Sequence, residues 1–275
     1  MVSSGADYSA YGDGQQMFRW ITGELVAPFE FVFEGRAGTG KTRLFAELIC
    51  ACSWVFPGFK TLLVREYKAD LSEAILANLE DEVLASPVYD EVIGGKNRDF
   101  RRQYKFEPMR AVQFHGRCLA CEVKALEDMG EVDPPILIRL NPDAGFPTRF
   151  RCQVCGGDLE MEEVDKGKEI VVSSLINLRG MDKPRKAYST QHNIGLWNEG
   201  QESSDITKCE SIHRGVRAQG SPFRFTGMDV NPEAKEHPIN LRATPCDGEV
   251  HDGHECPARM HRIISQFEDN PTMTL

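Results

Sequence analysis

Residues 29–42 read FEFVFEGRAGTGKT, and this stretch decides the fold. Phe29, Phe31 and Phe33 alternate with Glu30, Val32 and Glu34, the two-residue period of a strand built from large β-formers. Gly35, Arg36, Ala37, Gly38, Thr39, Gly40, Lys41 and Thr42 then fit G-x-x-x-x-G-K-[ST] at every fixed position. In such a loop the glycines let successive backbone N–H groups point inward at phosphates, the lysine reaches the β and γ oxygens, and the last hydroxyl holds Mg²⁺. Leu44, Phe45, Leu48 and Ile49 follow at helical spacing. Strand, glycine loop and helix N-terminus thus stand in the order that a nucleoside triphosphate site requires, and a bare turn would need neither the lysine nor the threonine.

Outward from the loop, residues 61–65 (TLLVR) form a short apolar run of the kind that becomes a buried parallel strand. Leu71, Ile75, Leu76, Leu79, Val83 and Leu84 keep a helical period that Pro87 ends. The resulting βαβ order predicts an α/β fold with a mainly parallel central sheet flanked by helices. Upstream, residues 15–25 (QQMFRWITGEL) carry an amphipathic pattern, and Gln15 or Gln16 is placed to pack on an adenine, or else is simply solvated.

The chain of 275 residues is 41% hydrophobic and 27% charged, enough for one large domain or a domain with a small module. Its formal charge of -10 argues against non-specific coating of nucleic acid but leaves room for a local basic patch. Arg98, Arg101, Arg102, Lys105 and Arg110, interleaved with Phe100, Tyr104 and Phe106, are either such a patch or the solvated face of a strand. The polar N-terminus carries no signal peptide, and no apolar run approaches the ~18 residues of a membrane span. A soluble, intracellular protein is expected.

Four of the nine cysteines form two C-x-x-C pairs, Cys118 with Cys121 and Cys152 with Cys155, the second followed by Gly156-Gly157. Two such turns complete a tetrahedral Cys₄ site, so a structural zinc ribbon is expected, with no open position for catalysis. Thirty residues separate the pairs, more than the usual ~15–20, and the excess holds turn residues around a strand at 136–140. The α/β pattern is expected to resume at 170–172 and 175–178. The strand at 194–197 ends in Asn198 and Glu199, where a nucleotide hydrolase places the groups that hold Mg²⁺ through water and activate the attacking water. Glu199 is the candidate general base, while Asn198 stands where an aspartate is usual. Residues 223–232 form a further strand with a polar end suited to sensing the γ-phosphate. Cys246, His251, His254, Cys256 and His261 are either a second metal site or a polar loop, since their spacing fits no common pattern.

An ordered set of stretches resembles the large terminase subunit of tailed bacteriophages, the ATPase that pumps DNA into a procapsid. They are residues 34–43 (EGRAGTGKTR), 61–84, 104–106 (YKF), 176–202, 226–243 (TGMDVNPEAKEHPINLRA) and 261–271 (HRIISQFEDNP). They span most of the chain except the cysteine-bearing part, which looks like an insertion. The resemblance implies a P-loop NTPase of the ASCE type, with ATPase parts at 1–110 and 171–275 around a zinc-ribbon module at 111–170. It implies Lys41 and Thr42 as phosphate and Mg²⁺ ligands and Asn198 at the Mg²⁺-associated position. Glu199 becomes the catalytic carboxylate and Arg36 an arginine acting on the γ-phosphate. Arg65 matches a recurrent family arginine, and residues 226–232, with Thr226, Gly227 and Asn231, match the coupling motif.

Large terminases also carry an RNase H-like nuclease domain. This chain stops after Asp269-Asn270-Pro271, where the ATPase part of such proteins ends, so it is expected to package but not to cut. The implied cofactors are Mg²⁺ with ATP and a structural Zn²⁺. The implied partners are double-stranded DNA, the portal protein, the small terminase subunit and a nuclease domain or separate nuclease chain. No membrane partner is implied. The implied setting is the host cytoplasm, with a homo-oligomeric ring on the procapsid and a monomer compatible with the isolated domain. Competing with the motor is a non-catalytic module, in which the nucleotide site is a switch and the ribbon binds DNA or a packaging protein.

Overall fold

The computed structural model describes residues 16–36, 39–71, 75–80, 92–93, 103–128, 133–145, 149–182, 190–203, 205, 207–230 and 261–264. Its centre is an eight-stranded sheet in the order β12-β1-β11-β10-β2-β9-β4-β3. The six strands β12 (His261–Ile264), β1 (Glu30–Glu34), β11 (Phe225–Val230), β10 (Ile194–Trp197), β2 (Lys60–Arg65) and β9 (Leu175–Gly180) run parallel. At the far edge β4 (Gln103–Lys105) and β3 (Val92–Ile93) are antiparallel. The expected α/β class with a mainly parallel sheet is therefore the observed one.

The two-residue period sorts the strand side chains onto two apolar layers. Phe31, Phe33, Leu63, Ile194, Leu196 and Phe225 face one core. Val32, Leu62, Val64, Trp197, Met228 and Val230 face the other. Burial on both faces explains why these strands read as continuous apolar runs. The first core is covered by α1 (Gln16–Ile21), through Met17, Trp20 and Ile21, and by α2 (Lys41–Val55), through Leu44, Phe45, Leu48 and Ile49. The second is covered by α5 (Thr207–Gly215), through Ile212. The helix expected over 71–84 is observed as a 3₁₀ turn, Lys68–Leu71, and a short α3 (Ile75–Asn78); most of the remainder lies outside the described residues.

Residues 109–172 form a second, antiparallel sheet. Its long strand β5 (Met109–Arg117) pairs with β6 (Ile136–Leu140) on one side and with β7 (Glu160–Glu163) and β8 (Glu169–Val172) on the other. It leaves the main sheet after β4 and rejoins it at β9, which are neighbours, so the excursion interrupts no parallel pairing. The run at 170–172, expected to resume the α/β pattern, belongs instead to this second sheet. Its burial alternates where a central strand would be buried throughout, and Val171 is 66% exposed. The parallel sheet resumes at β9.

The second sheet is not a loose appendage. Ile138, Leu140, Phe150 and Leu159 join the first core. Phe150 packs on Phe56 at a ring separation of 6.0 Å, and Phe56 meets Phe223 edge-on at 5.5 Å. The Asn141 amide donates to the Trp54 carbonyl at 3.1 Å, fastening the end of β6 to α2.

Candidate functional site

The glycine-rich loop joins the carboxyl end of β1 to the start of α2, at the edge where the parallel strands end. Gly40 caps α2 at φ 84°, a left-handed conformation that a residue without Cβ adopts at no steric cost. Gly35 N–H donates to the Val230 carbonyl at 3.2 Å, tying the loop to the end of β11. Thr39 Oγ1 and Lys41 Nζ donate to the Arg36 carbonyl at 2.9 and 3.1 Å, and Lys41 Nζ also reaches the Gly35 carbonyl at 2.6 Å. The lysine is 7% exposed, and burial lowers its pKa against the opposing charges of Asp229 and Glu199. Arg36 is exposed; Ala37 and Gly38 lie outside the described residues.

Asn198 and Glu199 follow β10 at the same edge. Register pairs Trp197 with Met228, so the next residues, Asn198 and Asp229, stand level on adjacent strands. Asp229 is fully buried and binds both residues after β10: Asn198 Nδ2 donates to Oδ2 at 2.8 Å, and Glu199 N–H donates to Oδ1. Burial, helped by the Glu199 charge, pushes the Asp229 carboxyl up to about 7, while these donors and Lys41 pull the other way. Asn198 Oδ1 is buried and accepts no hydrogen bond among the described residues. Glu199 sits at φ 54°, ψ 53°, the only non-glycine left-handed residue among those described, and Gln201 Nε2 donates to its carboxylate. Such backbone is sparsely populated and concentrates at functional positions.

Sequence reasoning misses Asp229. The residue lies inside the stretch 223–232 that reads as a sensor strand, but no local pattern tells its carboxylate from an ordinary polar position.

Other expected residues are more dispersed. The Arg65 guanidinium grips Glu202 at 2.5 and 3.0 Å and the Asp70 carbonyl at 2.9 Å. The Gln16 Oε1 atom lies 3.0 Å from His261 Nε2, which joins α1 to β12. Thr226 and Gly227 occupy the amino end of β11, paired with Glu30 and Phe31, whereas the loop meets the other end of that strand. Asn231 and the cluster Cys246, His251, His254 and Cys256 lie outside the described residues.

Packing accounts for Gly227. A Cβ there would stand 2.3 Å from Phe31 Cζ and 3.0 Å from Leu196 Cδ2. Phe31 is itself held by Trp20, Phe45 and Phe225. Gly227→Ala is expected to lower Tm by roughly 3–10 °C, as overpacking costs about 1–3 kcal/mol. Circular dichroism melts check this, and adding Phe31→Leu should recover part of the loss.

No family model matches the sequence, and no curated protein matches it. The backbone does have counterparts among solved structures. The large terminase from a thermophilic bacteriophage aligns at a TM-score of 0.56 and 9% identity, over 96% of this chain and 47% of that one. This chain shares the fold of the aligned part of that large terminase. It spans about half the length of that thermophilic phage protein. The Thermus phage P74-26 large terminase ATPase domain aligns at 0.47 and 11% identity, over 86% and 76% of the two chains.

On this terminase fold the second sheet carries the four cysteines. Cys118 follows β5 and stands at the N-cap of α4 (Leu119–Glu127), which holds Cys121, while Cys152 and Cys155 flank a tight turn. The four sulfurs all lie within 4.8 Å of one another, with Cys118 to Cys155 at 3.3 Å and Cys121 to Cys152 at 3.7 Å. These separations are too long for disulfides and lie close to the about 3.8 Å between ligands of a tetrahedral zinc thiolate site. The Gly157 N–H donates to Cys155 Sγ at 3.4 Å and, with the Cys118 thiol, holds Cys155 down to about 7. One ligand is thus disposed toward the thiolate that a metal needs.

The same turn reaches the main sheet. Gln153, between the paired cysteines, donates to the carbonyls of Pro28 and Arg224 at 3.0 and 2.5 Å and accepts from the Arg224 N–H at 3.0 Å. Those residues lead into β1 and β11.

Proposed function

We propose that this chain is the ATP-hydrolysing motor domain of a viral DNA-packaging terminase, coupling Mg-ATP hydrolysis to translocation of double-stranded DNA into a procapsid. One observation carries the reading: a buried lysine of a phosphate-loop sequence shares the carboxyl edge of a parallel sheet with Glu199 and Asp229. Ligands of open parallel sheets bind at that edge.

The chain's own residues divide the work. Lys41 exchanges the loop carbonyls of Gly35 and Arg36 for phosphate oxygens, and the loop N–H groups cradle the phosphates. Glu199 orients and deprotonates the attacking water, and Arg36 meets the charge that develops on the γ-phosphate. The residues fit a divalent cation, since Asn198 Oδ1 is a buried acceptor lacking a donor of its own among the described residues. Thr42 and Asn198 would hold Mg²⁺, which when bound neutralises charge shared between the β and γ oxygens. Gly35, Ala37, Gly38, Thr39, Gly40 and Gln16 complete the nucleotide contacts. Thr226, Gly227 and Asn231 belong to the segment coupling hydrolysis to movement, and Cys118, Cys121, Cys152 and Cys155 hold a structural Zn²⁺. The motor works in the infected cell's cytoplasm as a ring on the portal, together with the small subunit and a nuclease.

Purified protein is expected to release phosphate from Mg-ATP, and to do so faster with linear double-stranded DNA. Absence of turnover with DNA and portal both present would overturn the motor reading. A second reading, a nucleotide-binding switch without turnover, is favoured by the neutral Asn198 at the strand end. It predicts tight Mg-nucleotide binding and no phosphate release under any of these conditions.

A further inference from the structure

We propose that Asp229 is the positioning carboxylate of this nucleotide site, acting from β11 through Asn198 and Glu199 in place of an aspartate at the end of β10. The inference rests on the nucleotide-site reading above and adds to it a residue that the chain's local pattern does not mark.

The geometry argues for a carboxylate moved one strand sideways. Asn198 and Asp229 are level on neighbouring parallel strands and joined by a 2.8 Å hydrogen bond. Both Asp229 oxygens accept, Oδ2 from the Asn198 amide and Oδ1 from the Glu199 N–H, so Asp229 fixes the asparagine amide with its NH₂ toward β11. Asn198 Oδ1 is thereby turned away from Asp229, buried and without a donor among the described residues. That oxygen would accept from a metal-bound water, and the hydrogen bond from the amide NH₂ to Asp229 behind it polarises the amide and strengthens the oxygen as an acceptor. The other carboxylate oxygen holds the Glu199 N–H, and with it the left-handed backbone that aims the Glu199 side chain. One buried group therefore sets both residues at the strand end, and Lys41 lies within its electrostatic reach. A structural pair would need only a filled hydrogen-bond complement; here the outer acceptor is buried and unfilled among the described residues.

The test uses the full chain and a fluorescent ADP analogue titrated at increasing Mg²⁺. In the parent, Mg²⁺ is expected to tighten binding. In Asp229→Asn, the Mg²⁺ concentration for half-maximal tightening should rise about 10- to 100-fold, as for other groups that position metal ligands, while Mg²⁺-free binding through Lys41 persists. The exchanged pair, Asn198→Asp with Asp229→Asn, preserves each hydrogen bond and returns one carboxylate to the strand end, so it should restore the parental Mg²⁺ dependence. A folded Asp229→Asn with parental Mg²⁺ dependence overturns the inference, as does an exchanged pair that fails to fold or to recover that dependence. If the parent and Lys41→Ala bind the analogue equally, the nucleotide-site reading itself has failed, which is a distinguishable result.

Discussion

Glu199→Gln is expected to lower the rate of ATP hydrolysis about 10²- to 10⁴-fold while leaving nucleotide affinity within a few-fold of the parent. The glutamine keeps the size of the side chain and can still pair with Gln201, so the loop after β10 should hold its form. It lacks the charge that orients and deprotonates a water. On the proposed reading the affinity should survive, because Lys41 and the loop N–H groups, not Glu199, would bind the phosphates. Lys41→Ala should show the opposite partition, losing both affinity and rate, since its charge serves the bound and the transition state alike. Single-turnover phosphate release alongside titration of a fluorescent nucleotide separates the two. Parental single-turnover rates in Glu199→Gln would remove that residue from the chemistry.

The parts of this site that can be read from sequence are those whose physics is local. The alternation of residues 29–34, the glycines, Lys41 and the helical spacing beyond them fall within about twenty residues, so β1, loop and α2 are legible together. Glu199 is legible for the same reason, as a carboxylate closing a short apolar strand. Asp229 is not, because its meaning arises from a contact with Asn198 across 31 positions of sequence, between strands whose adjacency no local pattern announces. Residues 170–172 fail differently: a short β-branched run carries no mark of which sheet it joins, and pairing with β5 decides it. The cysteine spacing shows that two turns can share an ion site, but the reach of Gln153 from one of those turns into the leads of β1 and β11 is wholly a tertiary fact.

That reach gives the second large expectation. The protein should carry one equivalent of zinc per chain, and Cys152→Ser should abolish it and lower Tm on the order of 10 °C or more, corresponding to several kcal/mol in a chain of this size. Cys152 is 5% exposed and packs into the first core, so a hydroxyl there loses a ligand and leaves a polar group buried. A zinc ribbon that merely hung from the domain would melt on its own and leave the nucleotide site intact. Here the turn that holds Cys152 and Cys155 also holds Gln153 against Pro28 and Arg224, and Phe150 beside it packs on Phe56. Removing the metal with a strong chelator should therefore weaken nucleotide binding as well as stability, with both restored on adding Zn²⁺. Gln153→Ala separates the two effects. It should keep the full zinc content, measured by elemental analysis, yet reproduce part of the loss in nucleotide affinity, because it cuts the connection to β1 and β11 without touching a ligand. If Gln153→Ala binds nucleotide like the parent while chelation still weakens binding, the influence of the metal reaches the loop by the aromatic contact through Phe150 instead, and Phe150→Leu becomes the variant that must reproduce it.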